Sequence, residues 1–188
     1  MNNSTLADLR RILLNRSVKT GSFVLASGKT SSYYVDARLT TMSPEGMLAI
    51  GSLGIESITA ANWTPDSVGG LTLGADPVSF AISRETAGSS HPLRSFTVRK
   101  EAKTHGTGNL IEGPFQSGDR VVVVEDVITT GKSALQAIDA IKNAGGKIVG
   151  VLAVVDREDG GRDAIEKQGY EVITLVRVSE LLNQSKLS

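Results

Sequence analysis

The residues with the most chemical potential run from Val121 to Ser133. A valine run leads into the adjacent acids Glu125 and Asp126, and Val127-Ile128-Thr129-Thr130-Gly131-Lys132-Ser133 follows. The apolar run predicts a strand and the stretch from Ser133 a helix, so the small residues between them lie where a strand hands over to a helix. Free backbone N–H groups and the positive end of the helix dipole converge at such a junction, which makes it a phosphate site. It is not a nucleotide-triphosphate loop: Asp126 and Val127 stand where that pattern needs a glycine ahead of Gly131-Lys132-Ser133. Acids beside a monophosphate cradle fit a sugar phosphate, whose hydroxyls donate to Glu125 and Asp126 while its 5′-phosphate takes the loop amides. Taken singly, the acids could be a solvated strand end and the loop an ordinary helix cap. Their combination at this spacing points to ribose 5-phosphate recognition.

Two further clusters carry charge. Arg99-Lys100-Glu101-Ala102-Lys103-Thr104-His105-Gly106 places four potentially cationic side chains ahead of a glycine-rich stretch ending at Pro114 and Gly118. A plain basic turn is the commoner meaning of such a run. A basic loop with glycine hinges near a phosphate site, however, is what stabilising an anionic leaving group requires. Asp156-Arg157-Glu158 follows a second β-branched run, Lys147 to Val155, and so lies at another strand's carboxyl end. In open α/β sheets ligands gather at those ends.

The stretch Val121 to Ser133 resembles the signature of type I phosphoribosyltransferases, which implies binding of 5-phosphoribosyl 1-diphosphate with magnesium. The signature says little about the acceptor base. Arg99 to Gly106 resembles the catalytic loop of orotate phosphoribosyltransferases, which closes over a neighbouring subunit's site; Arg99, Lys100, Lys103 and His105 match its basic positions. Phe23 to Asp36 is similar to that family's amino-terminal orotate-binding loop, with its glycine, serine and paired aromatics Tyr33 and Tyr34. Many members carry a lysine directly after the leucine of this loop; here the position is Ala26, and Lys29 lies three residues on. Gly69 to Asp76 matches the pyrophosphate loop, but some members have a lysine beside an aromatic residue where this chain has Thr72-Leu73. Arg157 matches an arginine whose planar fork suits the carboxylate or carbonyl edge of orotate.

The resemblance thus implies transfer of ribose 5-phosphate to orotate in pyrimidine (UMP) biosynthesis, through an oxocarbenium-like state. Lys103, Lys100, Arg99, His105 and Asp126 would be catalytic. Arg99, Lys100, Lys103, His105 and the run Glu125, Asp126, Val127, Ile128, Thr129, Thr130, Gly131, Lys132 and Ser133 would hold the donor. Thr129, Arg157, Lys29, Tyr33 and Tyr34 would hold orotate. Magnesium would be bound mainly by substrate, without a dedicated protein site, and the loop implies a homodimer. A purine or uracil phosphoribosyltransferase would share the signature but lack the basic loop, and a non-catalytic regulator on the same fold would need a basic nucleic-acid surface.

The elements that position these residues alternate. Thr5 and Asp8 suggest a capping box for a helix carrying Leu6, Leu9 and Leu13, ended by Gly21 and Ser27 to Ser32. Ser43-Pro44-Glu45 starts a second helix, with Met47, Ile50 and Ile58 toward a core and Pro65 beyond its end. Then come runs at Ser67–Leu71, Pro77–Ala87, Arg94–Arg99 and Arg120–Glu125, a helix over Ser133–Ala144 closed by Gly145-Gly146, and the run Lys147–Val155. Strands without polar alternation are buried on both faces, and helical links between them predict a doubly wound α/β fold with a mostly parallel sheet. Gly106 to Pro114 reads as a mobile loop. The 188 residues fit one phosphoribosyltransferase domain, 1–188, with a small hood from about 1–40 and 157–188.

Composition narrows the class. Twenty basic residues balance twenty acidic ones, against a nucleic-acid surface. No cysteine is present, which excludes disulfides and thiolate chemistry and suits a reducing compartment. Met1 to Leu14 carries Asp8, Arg10 and Arg11 among its leucines, unlike a secretory signal, and no apolar run is long enough to span a bilayer. A cytoplasmic protein without membrane partners is expected.

Overall fold

The computed structural model describes residues 2–24, 30–101 and 110–185. Ala26, Lys29, Lys103 and His105, with the expectations attached to them, lie outside the described residues.

The chain opens with α1 (Asn3–Arg16), a hairpin of β1 (Val18–Val24) and β2 (Thr30–Val35), the short α2 (Arg38–Thr41) and α3 (Pro44–Ala60). There follow β3 (Ser67–Leu71), α4 (Ala75–Glu85), β4 (Arg94–Val98), β5 (Ile111–Glu112), β6 (Arg120–Ile128), α5 (Lys132–Asn143), β7 (Lys147–Asp156), α6 (Gly161–Glu166), β8 (Val172–Arg177) and α7 (Val178–Ser185). The main sheet has the order β5-β4-β3-β6-β7-β8. Every neighbouring pair in it is parallel except β4 with the two-residue β5. The doubly wound, mostly parallel architecture is as the alternating runs predict.

Alternation of side chains sorts the valine run into two cores. Val122 and Val124 join Leu152, Val154, Leu53 and Ile82 on the side covered by α1, α3 and α4. Val121 and Val123 join Val151, Ala153, Ile138 and Ile141 on the α5 side. All four valines are fully buried, each contributing about 1.5–3 kcal/mol by leaving water. Helix α5 covers its face because Ala134, Ala137, Ile138 and Ile141 recur at helical spacing.

Several local expectations change. Asn2, not Thr5, caps α1: its side-chain oxygen accepts from the Ser4 N–H, while Asp8 pairs with Arg11 at 2.9 Å. Ser43 caps α3 as expected, accepting from the Gly46 N–H, and Ile50 and Ile58 are buried with Met47 packed beside them. Gly21, read as a helix breaker, lies inside β1, where the pairing with β2 shifts register between Thr20 and Phe23. That antiparallel hairpin is mostly exposed, so it lacked the apolar signal that revealed the core strands. The stretch from Gly106 to Pro114 is not all loop, because Ile111 and Glu112 pair with Val98 and Thr97. At the carboxyl end, β8 extends the main sheet beside β7. Arg10 of α1 meets Glu180 of α7 at 2.9 Å.

Candidate active site

Strand β6 continues through Ile128, so Glu125 and Asp126 belong to its second half and not to its tip. The two acids therefore leave the strand on opposite sides. Glu125 lines a cavity with Val127, Ile128, Thr129, Thr130, Gly131, Lys132, Ser133 and Ala134, the junction read from the sequence as a phosphate cradle. Gly131 turns this loop into α5 with a left-handed φ of 78°, a conformation that suits glycine. Asp126 faces the turn after β3: a Cβ on Gly74 would run into its carboxylate. The Asp126 Oδ1 also accepts from the Val127 N–H at 2.8 Å.

Burial acts on both acids. It pushes the Glu125 carboxyl up to about 8, the neighbouring Asp126 charge adding to the effect, and Oε1 has no hydrogen-bond partner in the structure. Glu125 is thus mostly protonated at neutral pH, and an arriving positive charge would favour its ionised form. Burial also raises Asp126, against the lowering effect of backbone N–H groups and of Arg38. Asp36 lies close enough to raise it further.

Arg157 follows β7 as Thr129 follows β6, and the two strand ends are tied by the Arg157 N–H donating to the Ile128 carbonyl at 3.0 Å. Its guanidinium lies 5.1 Å from the centroid of the Tyr33 ring, while the Tyr33 hydroxyl donates to the Arg157 carbonyl at 3.5 Å. Arg157 is buried, and its Nε is 3.2 Å from Asp159 Oδ2 but has no hydrogen bond of acceptable geometry. Tyr33 and Arg157 thus come together, whereas Tyr34, on the other face of β2, packs its ring 5.8 Å from Phe23.

The basic loop emerges from the β4–β5 edge. The Arg99 N–H donates to the Leu110 carbonyl at 2.8 Å. Arg99 Nη1 lies 3.5 Å from Glu112 Oε1. Gln136 Nε2 donates to the Lys100 carbonyl at 3.1 Å, and Arg99 and Lys100 line one groove with Lys132. The loop root is therefore fastened to the helix that begins at the phosphate cradle, a contact with no sequence signal because Gln136 is an ordinary surface residue of an amphipathic helix. Thr72, where some members have a lysine, donates its hydroxyl to Asp76 at 2.7 Å, and the Thr72–Leu73 peptide is cis.

Residues 43–181 match the model of the phosphoribosyl transferase domain family. The orotate phosphoribosyltransferase of Aquifex aeolicus is 48% identical over 177 residues, 93% of this chain and 96% of that protein. The chain belongs to the orotate phosphoribosyltransferase family. Accordingly it is an enzyme with a type I phosphoribosyltransferase fold. Among solved relatives, the Mycobacterium tuberculosis orotate phosphoribosyltransferase in complex with Fe(III) dicitrate superposes with a TM-score of 0.83 at 43% identity, covering 94% of this chain and 98% of that one. The same enzyme in complex with 5-phospho-α-D-ribosyl 1-diphosphate gives 0.79 at 40% identity, with 94% and 98% covered. Among the described residues, no helix is long and apolar enough to cross a membrane.

Proposed function

We propose that the chain transfers the 5-phosphoribosyl group of 5-phospho-α-D-ribose 1-diphosphate to N1 of orotate, giving orotidine 5′-monophosphate and diphosphate in pyrimidine (UMP) biosynthesis. The observation carrying this reading is that Thr129, at the phosphate cradle, and Arg157, stacked on Tyr33, stand at the ends of adjacent parallel strands. A 5′-phosphate on the loop amides of 129–133 would thus put its ribose within reach of a base held by Arg157. Lys29 and Tyr33 would complete the orotate side, whereas Tyr34 faces away from Arg157, toward Phe23.

The carbon that exchanges diphosphate for N1 passes through an oxocarbenium-like state. No covalent nucleophile is needed: orotate N1 forms the new bond and gives up its proton, while the electrons of the broken C–O bond leave with diphosphate, whose oxygens can take that proton up. Asp126 and Glu125 accept the ribose hydroxyls and oppose positive charge on the ring. Arg99, Lys100, Lys103 and His105 neutralise the leaving group in a site closed to water. Magnesium, when bound, supplies further neutralisation of the diphosphate. Its all-oxygen preference fits the donor's own oxygens, and the Asp126 and Glu125 carboxyls are protein oxygens of like character that would be able to join them.

The enzyme acts as a homodimer whose loop reaches the neighbouring subunit's site. The exposed apolar residues Leu39, Met42, Leu48, Leu73 and Phe80 support that arrangement, since surfaces rich in such residues mark interfaces. Residues 1–40 and 157–188 contribute the hood over the site, and the absence of cysteine agrees with a cytoplasmic setting. The test is to supply the protein with donor and magnesium and follow the near-ultraviolet absorbance of orotate, adenine, guanine and uracil. Depletion of orotate alone is expected; an unchanged orotate spectrum would remove the assignment.

A further inference from the structure

The turn that should meet the donor's diphosphate, residues 72–74, carries no basic side chain. A cation stands beside it on another element. Arg38, the first residue of α2, lines a groove with Asp36, Met42 and Leu73. Its Nε and Nη2 grip Asp36 Oδ1 and Oδ2 at 2.8 and 3.0 Å, with the arginine side chain 46% exposed and the aspartate 22%. Its Nη1 makes no hydrogen bond among the described residues. Arg38 and Asp36 both act electrostatically on Asp126, which in turn touches Gly74 of the same turn. Leu73 and Arg38 therefore border one groove, and Asp126, lying against Gly74 on the side of β6 away from the Glu125 cradle, is within electrostatic reach of Arg38.

We propose that Arg38 is a donor-contact residue, gripping the diphosphate of the phosphoribosyl donor from the turn side and exchanging Asp36 for phosphate oxygens. The proposal rests on the phosphoribosyl-transfer reading above. A guanidinium already held in a planar two-point pair is oriented to give the same fork to a phosphate. The exchange keeps the guanidinium paired in both states. The site thereby gains from α2 the positive charge that its turn lacks at Thr72 and Leu73.

Calorimetric titration of the full chain, with magnesium present, tests this by comparing phosphoribosyl diphosphate with orotidine 5′-monophosphate, which shares its 5′-phosphate but has no diphosphate. Arg38→Ala is expected to weaken the donor by about tenfold or more while leaving the monophosphate unchanged. Arg38→Lys should fall between, and Asp36→Asn should bind donor at least as well as the wild type. Equal donor affinity in wild type and Arg38→Ala overturns the proposal. So does a parallel loss of both ligands, or a loss in Asp36→Asn equal to that in Arg38→Ala, because either marks the pair as scaffold. Failure of the wild type to bind either ligand overturns the phosphoribosyl reading itself.

Discussion

At the residue scale, Asp126 lies against Gly74 while Glu125 faces the loop that starts α5, so neighbours in the chain serve different walls of the site. Replacing Asp126 with Asn keeps the shape but removes the charge that accepts a ribose hydroxyl and opposes an oxocarbenium ring. A charged hydrogen bond of this kind contributes roughly 1.5–3 kcal/mol, so kcat/KM for the donor should fall by about ten- to a hundredfold with the circular dichroism spectrum preserved. Wild-type kinetics in that variant would make the acid a structural residue. Lys103→Ala removes one charge from the leaving-group side. Losing a single group of this type costs on the order of a hundredfold in turnover, and the dissociation constant for orotate should barely move. Turnover equal to wild type would take the loop out of the mechanism.

At the element scale, the decisive device is the handover from β6 to α5. Gly131 carries φ 78°, and a Cβ there would stand 2.7 Å from the Gly161 carbonyl oxygen. Gly131→Ala therefore meets both backbone strain and a close backbone neighbour, a cost of about 1–3 kcal/mol. A lower melting temperature and weaker binding of inorganic phosphate are expected together; an unchanged melting curve would contradict the close contact with α6. The same helix, through Gln136, holds the root of the basic loop, so cradle and loop share one support.

At the scale of the whole molecule, the proposed sharing of the basic loop between subunits has a distinctive consequence. Lys103→Ala and Arg157→Ala homodimers should each be poorly active, but co-refolded in equal amounts they should recover about a quarter of wild-type activity. Half of the dimers are then hybrids, with one of their two sites intact. No recovery would mean that each loop serves its own chain. At the opposite end of the sheet, Asp66 accepts from the Arg120 backbone N–H and pairs with its guanidinium at 3.0 Å. That side-chain hydrogen bond, with the backbone one, holds the Asp66 carboxyl at about 2, below its usual 3.8. A depressed folded-state value gives stability that is present above pH 3.8 and lost as pH falls toward 2. Melting temperatures of wild type and Asp66→Asn should therefore differ near pH 6 and converge near pH 2; a constant gap would exclude this linkage.

The valine run, the small-residue junction and the capped helix at Ser43 were legible in the sequence because burial on two faces, backbone need and helix capping each restrict residue type locally. Alternation of helices and strands was enough to give a mostly parallel sheet, but not its edge strand β8. The β1–β2 hairpin was not legible, since its exposed residues carry no apolar pattern, and neither was the pairing of β5 with β4, which two residues cannot announce. Tertiary structure alone decided that Glu125 and Asp126 part to opposite sides, that Tyr33 and not Tyr34 meets Arg157, and that Arg38 stands beside a turn without a basic side chain. The sequence determined which chemistry is present. Strand parity and packing between distant segments determined which groups face one another, because both depend on where β6 ends and on which elements cover it.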